Sequence, residues 1–266
     1  MEYPQKTSFT EKRKHFDTEV ITTNQILLRP VDVQEKLRGE IENLHTHAFP
    51  KISEKLLNVY VSDYFTQGNK NFQRQAILFR NKAGQLIATN ICNCGEVEYN
   101  NSVIKGVYLI SSAVLPEYQG HGIGKNIGVK LLTEFKPDVL FTTSSQSSAL
   151  HSRINLFKKG LVTGYEVYPR LEQTNEGDVL ITLPFKDLDF AINAFKQTYL
   201  GVVEGEQELI DDAIRNLTVF MVRKNVQGEM YDFNPWEKSG REDKLAKTLG
   251  VTSKDSVLVM FRKKTV

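Results

Sequence analysis

Apolar residues recur along this chain in two rhythms, one near every fourth position and one in short continuous or alternating runs, and the elements follow from them. Leu37, Ile41, Leu44 and Ala48 share a helical face, with Asp32 as the expected cap and an end near His47. Pro50 interrupts, and Ser53 opens a second helix bearing Leu56, Leu57, Tyr60, Val61 and Tyr64. The run Ile26, Leu27, Leu28 before Pro30 reads as a short strand. Residues 75–80 and 85–92 read as strands of a hairpin turned at residues 81–84. A long apolar strand reaches Val114, and Asn100-Asn101 separates it from the hairpin. Ile123, Ile127, Leu131, Leu132 and Phe135 mark the next helix, which Pro137 stops. Residues 139–143 form a further strand, and the polar stretch from Ser144 to Ser148 supplies the cap of a helix with Leu150, Ile154 and Phe157 inward and Gly160 as its stop. Residues 165–168 and 178–183 complete the series as strands, giving the order β-α-α-β-β-β-α-β-α-β-β over roughly residues 25–184.

The pattern continues past that point. Asp187 opens a helix with Leu188, Ala191, Ile192, Phe195 and Tyr199 on one side, and a second carries Leu209, Ile210, Ala213, Ile214 and Leu217. Residues 217–222 read as a strand. Ser239 and Glu242 have capping-box spacing before Leu245, Ala246 and Leu249, with Gly250 as the stop, and residues 256–261 read as a closing strand. Three segments result: a polar arm over 1–24, a main domain over 25–184, and an α+β extension over 185–266 packed on that domain. The extension holds no second glycine-rich loop, so it is no tandem copy.

Composition adds little. Hydrophobic residues at 40% and charged ones at 25% are ordinary for a globular chain, and a net charge of +2 gives no reason to expect nucleic-acid or membrane surfaces. No apolar run is long enough for a membrane helix, and the polar N-terminus does not read as a signal peptide, so a cytoplasmic protein is expected. Cys92 and Cys94 share one strand face as i and i+2, and a zinc site would need two more ligands, so they read as reduced thiols and no metal is expected.

The candidate chemistry lies between the strand ending at Val114 and the helix beginning near Ile123. Gly120, Gly122 and Gly124 let backbone approach a ligand, and the first helical turn offers N–H groups and a positive dipole end to phosphate. Two familiar phosphate loops fit badly. A Walker loop needs Ser or Thr where Asn126 stands and Gly where Gln119 stands. A dinucleotide fingerprint needs a third Gly where Lys125 or Ile127 stands. Gln119, Gly122 and Gly124, preceded by Val114, Pro116 and Tyr118 and followed by a helix, instead resemble the (Gln/Arg)-x-x-Gly-x-(Gly/Ala) motif of the GNAT superfamily of N-acetyltransferases.

That resemblance implies a mixed, mostly antiparallel central sheet flanked by helices, an α+β fold of GNAT type with the C-terminal module as an addition. It implies acetyl-CoA as co-substrate, held where the strand ending at Val114 splays from the next. The pyrophosphate would meet Gln119, Gly120, His121, Gly122, Ile123 and Gly124, and the pantetheine would run along Val114 and Leu115. A small-molecule or peptide amine would attack directly, with no nucleic-acid or membrane partner, in a monomer or homodimer. The alternative is a GNAT-fold sensor or scaffold that binds acyl-CoA without turnover. Many members carry a general-acid tyrosine four residues before the glycine that ends the following helix; here that position is Leu156, with Phe157 beside it. Tyr165 or Tyr168 is the candidate substitute acid, and Glu98 or Glu96 the candidate base. His151 is a further candidate facing the cofactor.

Overall fold

The computed structural model describes residues 16–68, 71–144, 146–200, 222–224, 237–238, 241–242, 244–251 and 255–264. Strand β1 (Asp17–Thr22) leads into helices α1 (Thr23–Leu27), α2 (Val31–Ala48) and α3 (Glu54–Asp63). Strands β2 (Phe72–Arg80), β3 (Leu86–Tyr99) and β4 (Ser102–Val114) follow as an antiparallel meander. A 3-10 turn at Pro116–Tyr118 precedes α4 (Ile123–Glu134), then β5 (Val139–Ser144), α5 (Ser147–Lys158) and β6 (Tyr165–Tyr168). A separate hairpin of β7 (Arg170–Thr174) and β8 (Gly177–Ile181) precedes α6 (Leu188–Leu200). The described C-terminal elements are β9 (Val222–Lys224), β10 (Glu237–Lys238), β11 (Arg241–Glu242), α7 (Lys244–Leu249) and β12 (Asp255–Lys263).

The main sheet runs β1-β2-β3-β4-β5-β12-β6, with β9 also paired to β12. Among the described strands only β4 and β5 are parallel, and every other described pair in this sheet is antiparallel. The last strand of the chain is therefore an interior strand, with Phe261 opposite Leu140 on one side and Val167 on the other. Alternation of side chains splits the core in two. Val107, Leu109, Leu140, Val259 and Phe261 join a core with Ile123, Ile127 and Leu131 of α4 and Leu150, Ile154 and Leu156 of α5. Tyr108, Val139, Phe141, Leu258 and Met260 join the other, under Ala191, Ala194, Phe195 and Tyr199 of α6. Among the described residues no helix is long and apolar enough to cross a membrane.

The mixed, mostly antiparallel sheet flanked by helices is the architecture expected, and several local expectations are corrected. Residues 17–22 are an edge strand rather than part of a polar arm, with Ile21 its one buried residue. The Ile26-Leu27-Leu28 run is helical up to Leu27, because Thr22 and Gln25 form a capping box: the Gln25 N–H donates to Thr22 Oγ1 and the Thr22 N–H donates to Gln25 Oε1. Only Ile26 of that run is buried, and Leu28 is 85% exposed. Helix α2 begins a residue before Asp32, with Pro30 in the capping position and the Asp32 carboxylate in the first turn, where the dipole favours it. Ser53 caps α3 as expected, its Oγ accepting from the Leu56 N–H. Helix α5 begins at Ser147, within the stretch expected to cap it, and the residue in the capping position is Gln146, whose side chain makes no cap hydrogen bond. Residues 178–181 pair with the unforeseen β7 and not with the main sheet. Glu242 lies in a short strand opposite Glu237; Ser239, its partner in the expected capping box, and the helix expected around Leu209–Leu217 lie outside the described residues.

Phe195 anchors the α6 face, its ring 5.4 Å from Phe141 and 5.1 Å from Tyr199. Phe195→Ala should lower unfolding free energy by about 3–5 kcal/mol. Urea titration followed by fluorescence and far-UV circular dichroism measures this; a loss below about 1 kcal/mol would mean that α6 does not hold that face.

Candidate functional site

The site begins with one extra residue in β4. Along the β3–β4 ladder Cys92 faces Leu109 and Ile91 faces Ser111, so Ile110 is the added residue of a β-bulge. A bulge bends its strand and increases its twist. The β4–β5 pairing, which starts at Gly106 opposite Val139, ends at Leu109 opposite Thr142, beside that bulge. Beyond it β4 stays with β3 as far as Ala88 opposite Val114, while β5 stays with β12 as far as Ser144 opposite Val257. A wedge-shaped gap opens between two parallel neighbours.

Backbone groups line one side of the gap. The Leu115 N–H donates to Ile87 O at 3.0 Å, which aims Leu115 at β3. By strand alternation Ala113 aims the same way, and Ser112 and Val114 direct their backbone groups into the gap. Gln119 Nε2 donates to Val114 O at 3.1 Å and ties the glycine loop back to the strand it leaves. Tyr118 is held from the other side, its hydroxyl accepting from Asn81 Nδ2 at 3.0 Å and its ring edge-on to Phe16. Asn90, fully buried on β3, donates through Nδ2 to Ser111 O and to Ser112 Oγ at 3.1 and 2.9 Å. Ser112 Oγ, having accepted that bond, keeps its own proton to donate.

The loop then presents an anion site. Gly120 and Gly122 have φ of +78° and +79°, left-handed conformations that suit glycine, and a Cβ at either would meet open space within 4 Å. Gly122 is also the N-cap of α4 and offers no side-chain cap, so the first-turn N–H groups are left to an outside acceptor. Gly128 serves differently: a Cβ there would lie 2.3 Å from Leu156 Cδ1, so its absence lets α4 and α5 close on each other.

These parts enclose one cavity of about 560 Å³, within the range of small-molecule sites. Gln119, Gly122, Lys125, Gln146, Ser152 and Arg153 form a polar mouth. Leu109, Ile127, Leu131, Leu140, Leu156 and Phe261 line its interior. No Asp, Glu or His is among the described residues that line it.

The expected site residues divide accordingly. Val114, Gln119, Gly120, Gly122, Ile123 and Gly124 all line the cavity. Leu115 is buried with its N–H given to Ile87, and His121 is an exposed loop residue outside the lining. Glu98 is not brought to the gap: it pairs with Val103, six residues below Leu109 and so about 20 Å along the strand. Its backbone N–H and C=O are bonded by the Gln197 side chain of α6. Glu96, opposite Lys105, lies at the same far end. Tyr165 is a buried tie, its hydroxyl donating to Pro137 O at 2.8 Å, and burial together with Asp138 pushes its pKa up to about 12. Tyr168 donates to Glu166 instead and does not line the cavity. His151 on α5 is exposed and outside the lining, and Leu156 is a packing residue. Cys92 and Cys94 are free thiols 3.6 Å apart, and the bond to Cys94 together with burial holds the Cys92 thiol well above its usual pKa. Sequence reasoning missed Ser112, Asn90, Lys125 and Arg153. The signal for Asn90 was present, as a lone amide inside the apolar run of residues 86–92.

No sequence-family profile and no curated protein matches the chain. Solved structures similar to it include an acetyltransferase of Bacillus subtilis in complex with CoA, 11% identical, covering 94% of this chain and 100% of that one with a TM-score of 0.39. A GNAT family acetyltransferase of Brucella melitensis in complex with acetyl-CoA is 16% identical over 48% of this chain and 75% of that one, with a TM-score of 0.33. The ribosomal-protein-S18-alanine N-acetyltransferase of Escherichia coli is 14% identical over 64% of this chain and 98% of that one, with a TM-score of 0.34.

One helical turn before Phe49, which lines the cavity, His45 of α2 is fully buried against Phe49, Tyr60 and Tyr64, and its Nδ1–H donates to Ile41 O at 3.0 Å. Burial lowers its pKa from 6.5 to about 4, against the opposing pull of that bond. The folded value lies below the unfolded one, so the neutral ring's contribution is complete above pH 6.5 and is lost as pH falls through about 4. That interval corresponds to roughly 3 kcal/mol. Urea midpoints between pH 7 and 4 should fall for the native chain and fall less for His45→Phe; equal slopes would mean that His45 is not the titrating group.

The bulge, the one parallel pair among the described strands and the loop at the head of α4 together give this chain the mixed, mostly antiparallel sheet, flanked by helices and opened beside a glycine loop, that the sequence led one to expect.

Proposed function

We propose that the chain is an acyl-CoA-dependent N-acyltransferase that passes an acyl group, with acetyl as the minimal one, to a primary amine by direct attack. The observation that carries this reading is the convergence of two features on one cavity: a gap whose wall is the splayed backbone of Ser112 and Val114, and an uncapped helix N-terminus on Gly122. The first suits a thioester and the pantetheine amides, the second a pyrophosphate. Lys125 and Arg153 add positive charge at the mouth.

The chain's own groups act by holding and polarising. The Val114 and Ser112 backbone orients the thioester carbonyl, and their N–H dipoles face the oxygen on which charge develops. The amine nitrogen attacks the carbonyl carbon, the C–N bond forms and the C–S bond breaks. The Ser112 hydroxyl, which Asn90 holds in place, donates a hydrogen bond to the leaving thiolate, and the thiolate takes its proton from solvent. The nitrogen's surplus proton goes to solvent. With no carboxylate or imidazole in the described lining, the amine must arrive neutral.

That last feature also favours a second reading, an acyl-CoA sensor or scaffold without turnover. The two separate cleanly. Acetyl-CoA should raise the melting temperature under both, because it binds only the folded loop. Thiol release across a panel of amines should follow under the first alone.

Gly122→Ala should lose the acetyl-CoA shift at a stability cost of about 1 kcal/mol for the left-handed backbone. Glu98→Gln, at the far end of β3, should leave both the shift and thiol release unchanged. An unaltered shift in Gly122→Ala would remove the anion site from that loop.

Thiol release should also rise with pH at a slope near one decade per unit until the amine's own pKa, about 10 for an alkyl amine. A plateau near neutral pH would reveal a protein base and contradict the assignment.

A further inference from the structure

We infer that Cys92 and Cys94 form a redox-active dithiol site: Cys94 exchanges with a polar, peptide-like disulfide held in a cavity of its own, and Cys92 then closes an intramolecular bridge. The inference goes beyond the acyltransferase reading and does not depend on it. The two sulfurs lie 3.6 Å apart, and their surroundings differ. Cys92 is fully buried, its Sγ 3.5 Å from Gln75 O. Cys94 is half-buried and lines a second cavity of about 530 Å³. That cavity shares no lining residue with the cleft beside the glycine loop.

The walls around Cys94 select the reagent. Thr23, Asn24, Gln67, Asn71 and Gln73 bring one hydroxyl and four amides to the lining, the groups that bond a peptide-like molecule, in a volume within the range of small-molecule sites. Gln73 stands directly opposite Cys94 on β2. Thr23 Oγ1 is buried with no hydrogen-bond partner among the described residues, a costly state that an occupant of the cavity can relieve. Strand geometry permits the bridge. Residues two apart on a strand share a face with Cα atoms about 6.7 Å apart, near the upper end of what a disulfide spans. Closing it draws the sulfurs together by about 1.5 Å. A bridge at that limit is strained and readily reduced, which suits a site that cycles.

The unequal burial divides the roles. Cys94, the thiol that the cavity reaches, loses its proton to solvent, and its thiolate attacks one sulfur of the reagent. The reagent's S–S bond breaks, one half leaves as a thiolate that takes a proton from solvent, and the other half stays on Cys94 as a mixed disulfide. Cys92 then loses its proton to solvent and attacks Cys94 Sγ, which releases the second half as a thiol. The protein's two thiols give up two electrons, and the reagent's disulfide becomes two thiols. Burial and the contact with Cys94 hold the Cys92 thiol well above its usual pKa, so the second step is the slower one.

The chain's only two cysteines are this pair, so intact mass reads the site directly. The full chain is incubated with glutathione disulfide, sampled over time and quenched with acid. The native protein should gain one glutathione adduct, then lose it and end lighter than the reduced chain by two hydrogens. Cys92→Ala should stop at the adduct, and Cys94→Ala, left with the buried thiol, should gain none over the same interval. A native protein that keeps both thiols, or holds the adduct without closing the bridge, overturns the inference. So does a Cys94→Ala that reacts as fast as Cys92→Ala. The cavity is tested by the neutral hydroxyethyl disulfide, with each rate divided by that of the same reagent with N-acetylcysteine. Glutathione disulfide should then react at least about fivefold faster, the equivalent of one net hydrogen bond, and Gln73→Ala should narrow that ratio. Equal rates in the native protein would show that the cavity holds no part of the reagent and overturn its assignment. Should an alanine variant fail to fold, the native time courses with the two disulfides still decide.

Discussion

The structure turns on one inserted residue in one strand. With Ile110 bulged out of the β3–β4 ladder, the two strands keep pairing but the last four residues of β4 swing with β3. Strand β5 is held on its other side by six consecutive partners on β12 and cannot follow. The gap between them is the outcome of two ladders that are each satisfied, not of a missing bond. Its position decides everything above it. It fixes where Ser112 and Val114 aim their backbone, where the chain must turn at Pro116, and where the head of α4 can stand over the opening.

The other anchor comes from the opposite end of the sequence. Strand β12 lies between β5 and β6, so the final residues of the described chain sit in the interior of the sheet. Without it β5 and β6 would both show unpaired edges, which sheets avoid. Its alternation serves both faces, sending Leu258 and Met260 toward α6 and Val257, Val259 and Phe261 toward α4 and α5. Phe261 thereby floors the cavity that the glycine loop caps. A site assembled from residues about 140 positions apart shares its rigidity with the core, since the same strand supports both.

How much of this was legible in the sequence follows the range of the interactions. The glycine loop, the Pro116 turn, α4 and its stop before Pro137 are set by neighbours in sequence, and they stand where the pattern put them. Thr22 and Gln25 also act locally, but the apolar run at residues 26–28 masked their box, since a short apolar run does not distinguish strand from helix. Strand β1 was missed because an edge strand with one buried side chain leaves almost no hydrophobic signal. Glu98 looked well placed because it precedes β4 in the chain. An antiparallel hairpin puts such a residue at the beginning of the next strand, and the gap opens at its end. Tyr165 and Asn90 show the converse. Whether a buried polar group is a tie or a tool depends on what it bonds, and that is written in the tertiary structure: Pro137 for the one, Ser112 for the other.

The absence of carboxylates and imidazoles from the described lining has a physical consequence for how such a cavity can accelerate a reaction. Its cations and its uncapped helix end stand at the polar mouth, and its interior is hydrocarbon. Backbone dipoles at the boundary between the two act through a low local dielectric, where each N–H is worth more than it would be in water. Asn90, fully buried, donates both its N–H bonds to the last stretch of β4 and so fixes Ser112 before any ligand arrives. A carboxylate in the same place would have to be desolvated beside hydrocarbon, which raises its pKa and weakens the cationic mouth. Neutral hydrogen-bonding groups avoid that conflict. The arrangement favours preorganised dipoles over proton-transfer groups, and the bulge at Ile110 is what aims them.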